Sequence, residues 1–175
     1  MFQVKLFMIP PTAGTCTSRT VDSPDYSHSK ASSVWKNVAI GHRWGTGRLD
    51  STQAWSAGRN VAGEWWEMDL GAVQEVGGVV TQGRVDRWQN VKSYKVQTSQ
   101  DGSSWNYVDG GKVFIGNTAP NDGKVENVFT SPVKARFVRI VVQTWNGHIS
   151  MRSAVLLCGQ GGTVDVMCSH FEDYN

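Results

Sequence analysis

Hydrophobic and polar residues alternate in short runs along much of the chain, which is typical of half-buried β-strands. The clearest case is Trp65–Leu70 followed by Glu75–Thr81, where aromatic and β-branched residues alternate with small or polar ones. Gly71 separates these two predicted strands, and the segment Arg84–Trp88 that follows them is too charged to be core. We therefore predict that the two strands are scaffold and that the loop after them is functional.

The same alternation predicts more short strands in the rest of the chain. They are Val91–Ser99, Trp105–Val108, Lys112–Ile115, Val125–Phe129, Phe137–Gln143 and Ile149–Leu157. Asp101-Gly102 predicts a hairpin turn between the first two of these. No segment of ten or more residues keeps a helical apolar period. Seven or eight strands with glycine-rich turns predict an all-β domain, either a sandwich or a barrel.

Composition narrows the domain organisation and the classes of partner. The 175 residues, 39% of them hydrophobic, suffice for one domain with a core. A net charge of +2 without a basic run argues against nucleic acid, and no apolar run reaches the roughly 20 residues of a membrane span. Residues 1–15 make a poor signal peptide, because Pro10-Pro11 interrupt their apolar stretch, and we interpret them as an N-terminal leader of unknown role. Residues 159–175 are interpreted as a glycine-rich linker and tail.

The sequence lacks the short motifs that mark common catalytic and cofactor sites. It contains no G-x-S-x-G, H-E-x-x-H, P-loop, dinucleotide fingerprint or EF-hand loop. Its four histidines are scattered, and its carboxylates do not pair within one loop. We therefore expect a non-enzymatic recognition module whose ligand meets loops carried on a rigid scaffold.

The three cysteines, Cys16, Cys158 and Cys168, have no zinc-type spacing. Cys16 and Cys158 bracket the strand-rich region. From spacing alone, a bridge between them and a pair of buried free thiols are equally acceptable interpretations. A bridge would close a loop of about 140 residues and add roughly 5 kcal/mol in the chain-entropy model. Cys168 could be free, form an intermolecular bridge or begin a further domain.

Several short segments, in this order, carry a resemblance to a known family. They are Ala31–Ser33, Arg48–Asp50, Ala54-Trp55, Glu64-Trp65, Asp69–Gly71, Thr81–Gly83, Ser93-Tyr94, Ser99–Trp105, Phe114–Asn117, Pro132–Arg139, Thr144–Arg152 and Cys158. With their spacing, the region 16–158 resembles the discoidin domain, also called the factor V/VIII type C domain, and is most similar to discoidin-type lectin domains. The resemblance implies an eight-stranded jelly-roll β-sandwich of the galactose-binding-domain type, an extracellular location, and a Cys16–Cys158 disulfide.

The resemblance also implies that ligands bind loops at the end opposite the chain termini. Counting back through alternating strands places the loops 35–46, 56–63, 84–90 and 145–148 at that end. In the third of these loops, guanidinium, carboxylate and indole groups form the mixture that a sugar site needs; a solvated loop with an Arg84–Asp86 surface ion pair is the alternative. The candidate ligand-binding residues are Trp44, Arg59, Asn60, Arg84, Asp86, Arg87, Trp88 and His148. His148 is equally acceptable as a residue that caps the last strand.

We expect galactose-type glycans on cell surfaces or glycoproteins as ligands, with a role in cell adhesion and no catalysis. Peripheral binding to anionic phospholipid is the first alternative, because Val38, Ala39 and Ile40 form an apolar tip flanked by Lys36 and Arg43. A protein- or collagen-binding adhesion domain is the second. A homo-oligomer is compatible with lectin avidity.

No cofactor is expected. Sugar-binding relatives that hold calcium carry an acidic residue near the position of Ala154, so calcium is not supported here, although Asp50 could be a ligand. Trp55, Trp65, Tyr94, Trp105 and Phe137 are interpreted as core residues. Asp69 and Arg152 are interpreted as internal charges held by partners.

Overall fold

The computed structural model describes residues 16–119 and 123–159. Within them the chain forms nine strands and three 3-10 turns, without an α-helix. The strands are β1 (Arg19–Asp22), β2 (Ser29–Ala31), β3 (Trp55–Ser56), β4 (Trp65–Gln82), β5 (Asn90–Ser99), β6 (Asn106–Tyr107), β7 (Phe114–Ile115), β8 (Val125–Asn146) and β9 (Ser150–Cys158). The expectations for residues 1–15, for Cys168 and for the tail from residue 160 lie outside the described residues.

The strands form one curled antiparallel sheet, which confirms the predicted all-β jelly-roll class. Its order is β1-β9-β4-β8-β5-β6, while β2 pairs with β4, β3 with β9 and β7 with β5. Curling brings one face of the sheet onto itself and buries a core that includes Trp55, Trp66, Tyr94 and Phe114. Since successive side chains of a strand point to opposite faces, β8 sends Val138, Ile140 and Val142 into this core.

Two pairs of predicted strands are each one long strand in the structure. Trp65–Leu70 and Glu75–Thr81 lie on β4, and Val125–Phe129 and Phe137–Gln143 lie on β8. The register between β4 and β8 shifts between Asp69 and Gln74, where Gly71 has φ +77°. A bulge of this kind bends a strand without ending its pairing. Gly71 therefore marks a bend in β4 and not the boundary that the sequence suggested.

The core prediction is correct for Trp55 and Tyr94 and wrong for the other three aromatic residues. Trp65, Trp105 and Phe137 are half-buried. Phe137 precedes the buried Val138 on β8, and Trp65 precedes the buried Trp66 on β4. Because successive side chains alternate between the two faces, Phe137 and Trp65 occupy the outer face of the sheet. There the Arg139 guanidinium lies between the two indoles, 4.0 Å from the Trp65 ring centre and 3.7 Å from that of Trp105.

A disulfide joins Cys16 to Cys158, which confirms the pairing that the resemblance implied. β1 pairs with β9 from Arg19 opposite Cys158 to Asp22 opposite Val155. Gly77 of β4 packs against the bridge, and a side chain there would lie 2.8 Å from both sulfur atoms. The two ends of the domain therefore meet at one end of the sandwich, and β9 begins at the other.

Four connections meet at the end where β9 begins, and we call it the loop end. They are the β2–β3 segment 32–54, the β3–β4 segment 57–64, the β4–β5 segment 83–89 and the β8–β9 segment 147–149. The Asn60 side chain joins two of them, because Nδ2 donates to the Gly147 oxygen (3.3 Å) and Oδ1 accepts from the Ile149 N–H (2.9 Å). The predicted convergence of the loops on one surface is confirmed.

Candidate binding cleft at the loop end

A cleft of about 300 Å³ opens between these connections. Its lining residues are Trp35, Trp44, Ser56, Arg84, Arg87, Gln89 and His148. The β2–β3 segment supplies both indoles, the β4–β5 segment supplies both guanidinium groups and the amide, and the β8–β9 segment supplies the imidazole. The cleft thus combines flat apolar surfaces with several hydrogen-bonding groups.

Arg84 forms a fixed wall of the cleft. Its Nε and Nη2 donate to the Asp86 carboxylate at 2.6 and 3.2 Å, and its Nη1 donates to Gln89 Oε1 at 3.1 Å. The Arg84 side chain is only 13% exposed. Chiefly through this hydrogen bond, the guanidinium lowers the pKa of Asp86 below its ordinary value. The ion pair that sequence offered as an alternative is present, and it orients Arg84.

Gln89 is held in place by groups at the bottom of the cleft. Its Oε1 also accepts from the Ser150 hydroxyl at 3.3 Å, and the Ser150 and Ser56 hydroxyls share a hydrogen bond of 2.8 Å. Because the oxygen is already used, the amide group faces a ligand as a donor. Its Nε2 has no hydrogen-bond partner among residues 16–119 and 123–159.

His148 has one ring nitrogen fixed by the scaffold. Nε2 lies 2.8 Å from the Ala57 carbonyl oxygen, which can only accept, so this nitrogen carries the proton. In the neutral ring Nδ1 is then an acceptor, and it has no hydrogen-bond partner in the described part of the chain. The Trp35 ring meets the imidazole edge-on, with centroids 5.0 Å apart and planes at 77°. His148 therefore both closes the end of β9 and lines the cleft.

Trp44 is anchored through its backbone, since its carbonyl oxygen accepts from the Ser56 N–H at 2.8 Å. The Lys36 ammonium lies 5.5 Å from the centre of its indole ring. Arg87, by contrast, is exposed and has no ion-pair partner among the residues that the structure describes. The cleft therefore contains one guanidinium that is fixed by hydrogen bonds, that of Arg84, and one without an ion-pair partner in the described part of the chain, that of Arg87.

Comparisons with known proteins agree with this architecture. The model of the F5/8 type C domain matches residues 28–155. The chain belongs to the F5/8 type C family. Lactadherin from Mus musculus is 38% identical over 149 residues, covering 81% of this chain and 32% of lactadherin. The chain thus spans about a third of the length of that relative.

Two solved structures show the same fold. Discoidin II of Dictyostelium discoideum has a TM-score of 0.63 at 23% identity, covering 78% of this chain and 57% of the other. The family 32 carbohydrate-binding module from C. perfringens NanJ has a TM-score of 0.57 at 15% identity, covering 80% and 98%. F5/8 type C domains of this kind are binding modules. The family and the disulfide, which forms in oxidising compartments, place the domain outside the cell.

The structure brings together four of the predicted site residues of this F5/8 type C domain: Trp44, Arg84, Arg87 and His148. Asp86 lies behind Arg84 as its partner, and Trp88 is 62% exposed outside the cleft. Ligand contact by all of them remains a prediction. Trp35, Ser56 and Gln89 were missed, because nothing in their sequence neighbourhoods distinguishes a cleft residue from a strand end.

Arg59 and Asn60 do not line the cleft. Their side chains instead bond other parts of the protein. Arg59 Nη2 lies 2.8 Å from the buried Glu64 carboxylate. The Asn60 side chain bonds the β8–β9 segment, as described above. The sequence offered no signal for these partners, since Asn60 and Gly147 are 87 positions apart.

The predicted apolar tip is only partly available at the surface. Ile40 packs against the core, Val38 is half-buried and Ala39 is exposed. Other apolar side chains are exposed at the loop end instead: Trp35, Val61, Val85 and Trp88. We call these four residues the apolar rim. In the described ranges no helix is long and apolar enough to cross a membrane.

The two positions considered for calcium have other surroundings. Ala154 is buried beside Val80 and Leu156. Asp50 Oδ2 lies 2.7 Å from Lys124 Nζ, and this hydrogen bond is the main cause of the lowered pKa of Asp50. Residues 16–119 and 123–159 contain no cluster of three or more His, Cys, Asp or Glu suited to a metal ion.

Arg152 has the structural role that the sequence indicated. Its Nε donates to the Gly83 oxygen (2.9 Å) and its Nη1 to the Ser51 oxygen (3.1 Å), which anchors two of the loops. Burial lowers the pKa of its guanidinium. Asp69 likewise receives two hydrogen bonds from Arg136, at 2.8 and 2.9 Å.

We expect Asn60→Ala to lower the free energy of unfolding by about 1–3 kcal/mol, because it leaves the buried Ile149 N–H without its acceptor. Urea unfolding at neutral pH measures the change. Thr52→Ala, an exposed position on another segment of the loop end, is the control. Equal stabilities of Asn60→Ala and the unmodified domain would contradict a structural role for this side chain.

Proposed function

We propose that this domain binds galactose-type glycans in the loop-end cleft and serves cell adhesion. The observation that carries the proposal is the composition of the cleft. Two indoles stand in it with the Arg87 guanidinium, the Gln89 amide and the His148 imidazole. The cleft volume of about 300 Å³ lies at the lower end of the range for small-molecule sites.

The chemistry of a pyranose matches these groups. One face of such a ring carries C–H groups that pack on an aromatic surface, and its rim carries hydroxyls that both donate and accept. Gln89 Nε2 and Arg87 supply donors, and His148 Nδ1 supplies an acceptor. Since Gln89, Arg84 and His148 are all held by scaffold bonds, little side-chain freedom is lost on binding.

The fold supports a carbohydrate ligand. The C. perfringens module that shares it was solved in complex with galactose. At 15% identity that likeness is one of fold, so the assignment to this chain rests on the cleft. We further propose that binding needs no calcium, because Asp50 is paired with Lys124 and the Ala154 side chain has no oxygen to act as a ligand. Affinity that falls in a chelator would contradict this.

The deciding experiment is a glycan array followed by calorimetric titration with galactose and lactose. Arg87→Gln and Trp44→Ala are each expected to weaken binding roughly tenfold, which is the effect of losing one charge-assisted hydrogen bond or one aromatic contact. Arg19→Gln removes an exposed charge from β1 and is the matched control. Equal affinities in all four proteins would place the glycan elsewhere, and no binding to any glycan would refute the proposal.

The apolar rim favours peripheral binding to anionic membranes as a second candidate. Exposed Trp88 and Val85 stand next to Arg87, and apolar side chains beside cations are suited to a bilayer interface. Sedimentation with phosphatidylserine vesicles separates the candidates. Vesicle binding that galactose does not inhibit, and that Trp88→Ser with Val85→Ser abolishes, would replace the lectin proposal. Glycan binding by a domain that does not sediment with the vesicles would support the lectin proposal.

A further inference from the structure

A second cleft of about 280 Å³ adjoins the first, lined by Arg43, Trp44, Gln53 and Arg84. Trp44 and Arg84 line both clefts, so a ligand longer than one sugar residue can pass from one to the other along them. We infer that the second cleft is a subsite for an acidic group, a carboxylate or sulfate, attached to the sugar that occupies the first. This inference rests on the proposed function and specifies the class of glycan.

The distribution of charge at the loop end favours an anionic ligand. Each carboxylate on the loop-end segments already has a cation within 4.0 Å: Asp50 has Lys124, Glu64 has Arg59 and Asp86 has Arg84. Three cations, Lys36, Arg43 and Arg87, have no carboxylate at that distance among residues 16–119 and 123–159.

These three unpaired cations are distributed over both clefts. Arg87 lines the first cleft, Arg43 lines the second, and Lys36 lies over the Trp44 ring that the clefts share. Exposed cations that lack a counter-charge within the protein raise the local concentration of anions and attract an oxyanion. A neutral galactose would use only part of this surface.

The backbone holds two of these cations in an unusual conformation. Lys36 and Arg43 have φ values of +56° and +42°, the left-handed region that residues other than glycine seldom occupy. The turn is fixed by the Thr46 hydroxyl, which donates to the Arg43 oxygen (2.7 Å), and by the Gly45 N–H, which donates to the His42 oxygen (2.7 Å). Such conformations persist where the surrounding structure imposes them, and they concentrate at ligand sites.

Gln53 provides an independent indication that polar groups of a ligand enter the second cleft. Its Oε1 is buried and has no hydrogen-bond partner in the described part of the chain. Buried polar atoms of native proteins nearly always have a partner. Once the Gln53 side chain rotates so that this oxygen faces the second cleft, a hydroxyl of the bound sugar supplies the missing donor while Arg43 binds the attached oxyanion.

The test compares lactose, sulfated lactose and sialylated lactose by calorimetric titration of the whole chain. We expect the acidic sugars to bind roughly tenfold more tightly than lactose, with a preference that shrinks as salt is added. Arg43→Asn removes the charge with a residue that tolerates left-handed backbone. It is expected to abolish the preference and leave lactose affinity unchanged. Arg19→Asn, at the opposite end of the sandwich, is expected to keep the preference.

Each outcome is decisive. Equal affinities for neutral and acidic sugars would overturn the inference and leave glycan binding intact. A preference that survives in Arg43→Asn would also overturn it. Failure of all three sugars to bind would refute the proposed function itself. Arg43→Lys separates charge from loop geometry, because it is expected to retain part of the preference; a loss equal to that of Arg43→Asn would contradict a role for the charge.

Discussion

Removing the Cys16–Cys158 bridge is expected to lower the free energy of unfolding by about 5 kcal/mol. The two cysteines are 142 positions apart, so the bridge closes almost the whole domain into one loop. In the chain-entropy model, the unfolded chain regains the freedom lost on closing that loop. Domains of this size have total stabilities of about 5–15 kcal/mol, so the loss is a large fraction. Urea unfolding of the double variant Cys16→Ala, Cys158→Ala, which leaves neither partner as a free thiol, measures it.

Two controls separate the bridge from other effects. A reducing agent should destabilise the unmodified domain to a similar extent and leave the double variant unchanged. Because the bridge lies at the end of the sandwich opposite the cleft, glycan affinity in the absence of urea should be preserved. A stability loss below about 1 kcal/mol would contradict the chain-entropy explanation for this domain.

The fold could be predicted from sequence because the decisive signals are local or shared by the family. Alternation along Val91–Ser99 reports one buried face, and β5 lies there as Asn90–Ser99. The continuity of β4 could not be predicted. Gly71 breaks the local pattern, while the pairing of Asp69 with Phe137 and of Gln74 with Ala135 on β8 carries the strand across the bend. Pairing partners distant in sequence decide such a boundary.

Partners that are distant in sequence also explain why only some of the site residues could be predicted. Residue chemistry identified the β4–β5 segment, and Arg84 and Arg87 do line the cleft. It could not foresee which polar side chains the scaffold uses itself. Asn60 has the chemistry of a sugar ligand, but it bonds residues that β8 and β9 bring beside it. Similarly, the sequence indicates that Ile40 is part of an exposed apolar tip, but in the structure its side chain packs against the core.

Arg139→Ala is expected to lower the free energy of unfolding by about 3–5 kcal/mol, because it would leave a buried carboxylate without its main partner. Glu67 is only 3% exposed, and Arg139 Nε donates to its Oε2 at 2.8 Å. The substitution also removes the guanidinium that separates the Trp65 and Trp105 rings. Lys30, whose Nζ lies 3.9 Å from Glu67, is largely exposed and compensates little. Urea unfolding at neutral pH measures the loss.

Arg136 is a matched control on the same strand. It also pairs with a carboxylate, that of Asp69, and lies 4.8 Å from the Phe137 ring centre, but its side chain is 40% exposed. Water therefore screens its ion pair, and Arg136→Ala should destabilise the domain much less than Arg139→Ala. Adding Glu67→Gln to Arg139→Ala removes the unpaired charge and should restore part of the stability. Equal losses at both arginines, or no recovery in the double variant, would show that ring contacts and not the buried charge determine the effect.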